Sequence, residues 1–187
     1  MHHFHSLKTT KVNKETNDCV HIAFEIPQEL RHEFSFKQGQ YINVRFLMGN
    51  EDLRRSYSII NAPSEGNGDL EILVKKLDDG RVSSYLNVEL KVGDFVEVMP
   101  PSGHFFTHYH PSNEKTYIGL AAGSGISPVL SNLKEALYQE PKSKGYLIFS
   151  NKSLGEIIFK KEIDALVEKF EGRLKVIYLV SREKHFE

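Results

Sequence analysis

Arg55-Ser56-Tyr57-Ser58 is the first stretch whose residue types could do chemistry. An arginine pairs with phosphate, a tyrosine packs on an aromatic ring, and a hydroxyl bonds a flavin nitrogen or carbonyl. Alternate residues of a strand face one side, so Arg55 and Tyr57 share a face and Ser58 takes the other unless the strand bends. Taken alone, the tetrapeptide reads more simply as a surface arginine beside a strand tyrosine.

Three later stretches add to it. Gly80-Arg81-Val82-Ser83-Ser84 sets a glycine before a short helix with serines at its start. That leaves backbone N–H groups to hold an anion, or is an ordinary capped helix. Gly123-Ser124-Gly125-Ile126-Ser127-Pro128 follows an apolar strand and opens a helix. Glycines there let the backbone approach a pyrophosphate, and Pro128 suits a first helical turn. The full dinucleotide fingerprint is not met, because Pro128 stands near where a third glycine is expected. A tight strand–helix turn is the plainer alternative. Lastly, Ser150-Asn151-Lys152-Ser153 and Ser181-Arg182 end the second and third strands of the same half without a carboxylate. Hydroxyl-plus-cation sets at the carboxyl ends of parallel strands favour a 2′-phosphate, hence NADPH over NADH, against a reading as solvated loop charge. In this order the four stretches suggest hydride movement from a pyridine nucleotide onto a flavin.

The elements that must position these residues divide the chain. Short strands are expected over residues 5–12, 19–26, 40–46, 56–60, 69–75 and 95–99, punctuated by Gly39, Gly49, Pro63, Gly93 and Gly103. They predict an antiparallel six-stranded barrel with one helix from Val82 to Leu86. The second half alternates strand and helix: 116–122, 127–139, 145–149, 156–170 and 174–180. That order demands a parallel, Rossmann-like sheet. The expected fold class is β + α/β, with a barrel over residues 1–112 and a nucleotide-binding half over 113–187. Because the chain stops after a third parallel strand, the second half is expected to be incomplete at its C-terminus.

Composition narrows the function. A net charge of −1 argues against a general nucleic-acid binder. No apolar run reaches the length of a membrane span, and the N-terminus has no signal-peptide core. A single cysteine, Cys19, excludes internal disulfides, points to a reducing, cytoplasmic setting, and cannot hold an iron–sulfur cluster alone. Cys19 reads as a buried strand residue. His2, His3 and His5 could ligate a metal, but they sit at an expected flexible terminus, and no metal site is assigned.

These residues resemble the ferredoxin-NADP reductase superfamily, in which an antiparallel barrel binds FAD and a following α/β domain binds the nicotinamide nucleotide. Arg55-x-Tyr57-Ser58 is similar to its flavin motif, and Val74-Lys75 to the strand whose backbone lines the flavin ring edge. Gly80 through Ser84, with Val82, Ser83 and Ser84, resembles the flavin-pyrophosphate loop. Gly123-x-Gly125-x-x-Pro128, with Ser124 and Ser127, resembles the nucleotide turn. Ser181-Arg182-Glu183, with Lys152 nearby, resembles the 2′-phosphate site of NADPH-using members. Two departures are Asn61, where Ser or Thr often follows the flavin motif, and Lys152, where arginine is commoner. Within the superfamily, the runs from Ala121 to Leu130 and from Ile157 to Glu162 resemble the reductase subunits of phenylacetyl-CoA epoxidases. The resemblance implies FAD and NADP(H) as cofactors and a [2Fe–2S] centre only in a region this chain lacks. It implies an oxygenase or ferredoxin-type electron acceptor as partner, with no nucleic acid and no membrane. Tyr57 and Ser58 would touch the reacting ring. A non-catalytic FAD-binding electron-transfer subunit, or an inactive cofactor-binding fragment, is the alternative.

Overall fold

The structure is a computed structural model that describes residues 3–66 and 68–183. His2, one of the candidate metal ligands, lies outside them. The first half contains β1 (His5–Thr16), β2 (Cys19–Phe24), β3 (Tyr41–Met48), β4 (Glu51–Ser58), β5 (Leu70–Lys75), α1 (Arg81–Val88) and β6 (Phe95–Ser102). The second contains β7 (Thr116–Ala122), α2 (Ile126–Gln139), β8 (Lys144–Asn151), α3 (Lys160–Lys169) and β9 (Leu174–Val180).

The first six strands form one antiparallel sheet in the order β4-β3-β6-β1-β2-β5. Its ends are joined by an isolated bridge, Ile59 to Ile72, and by the Ile60 N–H donating to the Glu71 carbonyl at 2.9 Å. Register shifts in the β1–β2 and β3–β6 pairs supply the bends that closing a sheet requires. Alternate residues fill the interior, among them Leu7, Ile22, Phe24, Ile42, Val44, Ile72 and Val98. β2 breaks the alternation and is buried along its whole length. Val20, Ile22 and Phe24 enter the barrel core, whereas Cys19 on the other face joins the core of the second half. The Cys19 thiol is pushed up to about 12 by burial, which keeps it protonated and inert.

Several boundaries differ from the sequence expectation, two of them instructively. β4 starts at Glu51 and ends at Ser58, not at 56–60. The charges of Glu51, Asp52, Arg54 and Arg55 conceal a strand that sits at the end of the sheet, where charged residues are tolerated. α3 begins at Lys160, four residues late. Ile157, Ile158 and Phe159 are all buried, and consecutive residues cannot share one helical face. An irregular approach takes all three inward, ending with Phe159 in the left-handed region at φ 59°. β1 starts at His5 as expected, and His5 packs edge-on against Phe34 at 5.5 Å, so it does not belong to a flexible terminus.

The second half is a three-stranded parallel sheet in the order β7-β8-β9. Both helices cover the face that presents Gly119, Leu147 and Phe149. Gly119 is obligatory there, because a Cβ would lie 2.7 Å from Val129 Cγ1 on α2. The other face is open and presents Ile118, Leu120, Ile177 and Leu179. Among the described residues no helix is long and apolar enough to cross a membrane.

Candidate cofactor-binding site

β4 ends where the chain stops pairing with β3 and crosses to β5. The register with β3 is unbroken through Ser58, and Arg55, Ser56, Tyr57 and Ser58 all border one cleft. Lys75 from β5, Gly80 and Ser83 from the start of α1, and Ser124, Gly125, Ser127 and Pro128 from the glycine turn and α2 line the same cleft. Its volume is about 840 Å³, and it lies between the two halves. A smaller adjoining recess of about 370 Å³ shares Lys75 and Ser124 and adds Gly123, Lys152 and Ser181. The four sequence stretches thus converge on two continuous hollows.

Not every predicted residue reaches them through its side chain. Val74 and Val82 are buried in the barrel core, so only their backbone is available. The Ser84 N–H donates to the Gly80 carbonyl at 2.8 Å, and its side chain does not line the cleft. Arg182 is exposed beside the recess; its backbone N–H donates to the Lys152 carbonyl at 2.9 Å and ties the two strand ends together.

The chemistry of the donor set fits a phosphorylated aromatic cofactor. Arg55 is exposed, and among the described residues its guanidinium donates only to the Arg54 carbonyl, at 2.7 Å. It therefore keeps N–H groups for an anion. The first-turn N–H groups of α1 have no partner within the helix and add an anion cradle. Ser83 Oγ shapes that cradle by donating to the Gly80 carbonyl at 3.1 Å and accepting from the Leu77 N–H at 3.2 Å. A Cβ on Gly80 would lie 2.2 Å from that oxygen, so glycine is required by close approach. At the nucleotide turn Gly123 has φ 50°, and a Cβ on Gly123 or Gly125 would enter open space. Side chains there would fill the room a bound group needs.

Tyr57 supplies the aromatic wall. It packs against the barrel core, and its phenol is pushed up to about 12 by burial, against a smaller opposing pull from Arg55. It is a neutral hydroxyl at any physiological pH. Lys75 pairs with Asp18 at 3.1 Å. Burial alone would raise the Asp18 carboxyl, but hydrogen bonds from Lys75 and Thr16 prevail and hold it below its usual value.

Sequence reasoning missed several residues here. Asp78 and Asp79 line the larger cleft, and Glu156 the smaller; nothing but their nearness to Gly80 and Lys152 marks them. Asn61 acts as a surrogate strand residue. Its amide donates to the Asp69 carbonyl at 2.8 Å and accepts from the Glu71 N–H at 3.0 Å, closing the barrel beside the flavin motif. Among the described residues no group of three or more His, Cys, Asp or Glu could hold a metal ion.

Barrel, parallel sheet and shared cleft together define a two-part dinucleotide-binding scaffold. A family model described as an oxidoreductase FAD-binding domain matches residues 6–107, and one described as an oxidoreductase NAD-binding domain matches residues 120–186. The chain is 37% identical over 182 residues to a subunit of the 1,2-phenylacetyl-CoA epoxidase of Escherichia coli, covering 96% of this chain and 50% of that one. It is 34% identical over 173 residues to the ferredoxin reductase component of the 3-ketosteroid-9-alpha-monooxygenase of Rhodococcus rhodochrous, covering 92% and 48%. A solved ferredoxin NADP+ reductase from Neisseria gonorrhoeae with bound FAD and NADP superposes with a TM-score of 0.78 at 25% identity, covering 97% of this chain and 70% of that one. The chain belongs to the FAD- and NAD-binding oxidoreductases of the ferredoxin-NADP reductase superfamily. It spans about half the length of the curated relatives it matches.

Proposed function

We propose that this protein takes a hydride from NADPH onto FAD and passes electrons to an iron–sulfur centre or partner oxygenase, as a reductase of the phenylacetyl-CoA epoxidase type. The observation that carries the reading is the single cleft in which the Arg55–Ser58 strand faces the Ser124–Pro128 turn. Two cofactor-binding segments that share one hollow are arranged for transfer between their ligands. Relatives named as part of an epoxidase and as the ferredoxin reductase component of a monooxygenase support the choice of acceptor.

In this reading the flavin supplies the redox chemistry, and the protein supplies binding and orientation. Arg55 and the first-turn amides of α1 neutralise the cofactor's pyrophosphate. Tyr57 packs on the ring system, and Ser58 offers a hydroxyl to its reacting edge. The Val74–Lys75 backbone lines the ring edge, and Gly123 and Gly125 admit the nucleotide pyrophosphate. Lys152, Ser181 and Arg182 hold the 2′-phosphate, which accounts for a preference for NADPH. Residues 1–112 and 113–187 act as the flavin-binding and nucleotide-binding parts, in the cytoplasm.

The test is spectroscopic. The purified protein is expected to be yellow with FAD, and anaerobic NADPH should bleach its visible band faster than NADH does. Protein that cannot be loaded with FAD, or whose FAD neither nucleotide reduces, refutes the proposal.

A further inference from the structure

The β3–β4 hairpin carries Arg55, Tyr57 and Ser58. The chain enters it from Gly39, two residues before β3, and leaves it at Asn61, three residues after β4. Both of these ends meet one side chain. Ser131, on α2, is fully buried, and its hydroxyl donates to the Asn61 carbonyl at 2.8 Å while accepting from the Gly39 N–H at 3.3 Å. One helical turn earlier on α2 stands Ser127, which lines the cleft. One hydroxyl therefore hydrogen-bonds both ends of the flavin-binding hairpin to the helix that follows the nucleotide turn, beside the apolar contact of Ile60 with that helix's core.

The junction leaves little room for adjustment. A Cβ on Gly39 would lie 1.9 Å from the Phe105 carbonyl oxygen and 2.5 Å from Asn132 Nδ2. Asn132 Nδ2 donates to the carbonyls of Phe105 at 3.1 Å and Pro128 at 2.9 Å, and the Tyr109 hydroxyl donates to the Asn132 carbonyl at 3.0 Å. Elsewhere on the seam the contacts involve other segments: Ser64 bonds Glu135 through its N–H and hydroxyl, both at 2.9 Å, and touches neither end of the hairpin.

We propose that Ser131 is a positioning residue that sets the separation between the flavin-binding hairpin and the nucleotide turn. The inference rests on the oxidoreductase reading above. Transfer between two bound groups depends steeply on approach, and a misplacement of about 1 Å costs on the order of 100-fold. Losing the hydroxyl leaves a buried carbonyl and a buried N–H without their partner, which favours a shifted hairpin.

The test compares Ser131→Ala, Ser131→Cys and Ser64→Ala with the unchanged protein. Without any ligand, amide exchange at Gly39 and residues 59–61 should rise in Ser131→Ala and stay unchanged in Ser64→Ala. With FAD loaded to equal occupancy, Ser131→Ala should slow flavin reduction at saturating NADPH by about tenfold or more, with the half-saturating NADPH concentration changed less than about threefold. The thiol of Ser131→Cys, a weak hydrogen-bonding group, should give an intermediate loss, and it carries the test if the alanine variant does not fold. Reduction at the unchanged rate in whichever variant folds overturns the proposal, as does an equal slowing in Ser64→Ala or unaltered exchange at Gly39. If the unchanged protein binds FAD but no nucleotide reduces it, the functional reading itself fails and the proposal falls with it.

Discussion

The barrel half is closed on itself, whereas the parallel half is covered on one face only. Closure through Ile59, Ile60 and Asn61 gives every barrel strand two neighbours or a substitute for one. In the second half α2 and α3 share a face, and Ile118 and Leu120, each 67% exposed, stand on the other. The residues proposed to clamp the flavin thus rest on a closed sheet. The glycine turn rests on a helix that touches the barrel side as well as its own sheet. Polar bonds from Ser131, Asn132 and Glu135 on α2 cross to barrel-side segments, and Cys19, Ile60 and Leu73 of the barrel complete the second core.

The contrast predicts unequal responses to substitution. The largest is expected for Phe24→Ala in the barrel core, which should cost about 3–5 kcal/mol in denaturant unfolding. A smaller loss, confined to one probe, would mean that the barrel is not one cooperative unit. Next, under the proposed function Arg55→Ala would remove a charge-assisted phosphate contact and should weaken FAD binding by about 1.5–3 kcal/mol, read by equilibrium dialysis, with little change in unliganded stability. Unaltered FAD affinity would move the pyrophosphate site away from the hairpin.

Glu140 probes the second half and the segment that leads into it. Burial would raise its carboxyl, but hydrogen bonds from Ser143, Asn113, the His110 N–H and Tyr117 prevail and hold it below its usual value of 4.5. A depressed folded value means that this stabilisation is present above about pH 4.5 and is lost as pH falls through the folded value. Glu140→Gln should cost about 1–3 kcal/mol near neutrality, and the gap should close on acidification. A gap independent of pH would assign the loss to packing. Arg182→Ala should weaken NADPH binding by about tenfold and leave NADH nearly unchanged, since only a 2′-phosphate meets the charge; equal losses reject that assignment. The smallest effect is expected for Leu120→Gln on the open face, within about 0.5 kcal/mol by thermal melting. A large loss there would show that this face is covered in solution.

Much of this was legible in the residues. Alternation marked Tyr41 to Phe46 as a strand, and Gly123 to Pro128 announced a strand–helix turn because glycine freedom and proline placement are local properties. β4 was obscured because its residues are charged, and edge strands obey solvent as much as periodicity. The start of α3 was misplaced because Ile157 and Ile158 suit a helical stripe as well as an irregular buried segment. Asn61 looked like a departure from pattern until its amide was seen serving two backbone groups of the neighbouring strand segment.

What the sequence determined by itself was the local chemistry: an arginine, a tyrosine and serines on a strand, and glycines where a backbone must come close to a ligand. Those properties depend on side-chain type and on φ and ψ over a few residues. Only the tertiary structure decided that Arg55 and Ser124 line one hollow, that Ser131 joins Asn61 to Gly39, and that Glu140 gathers four donors. Each of those outcomes depends on which distant group arrives in the same buried place, and burial and partnership belong to the whole packed chain.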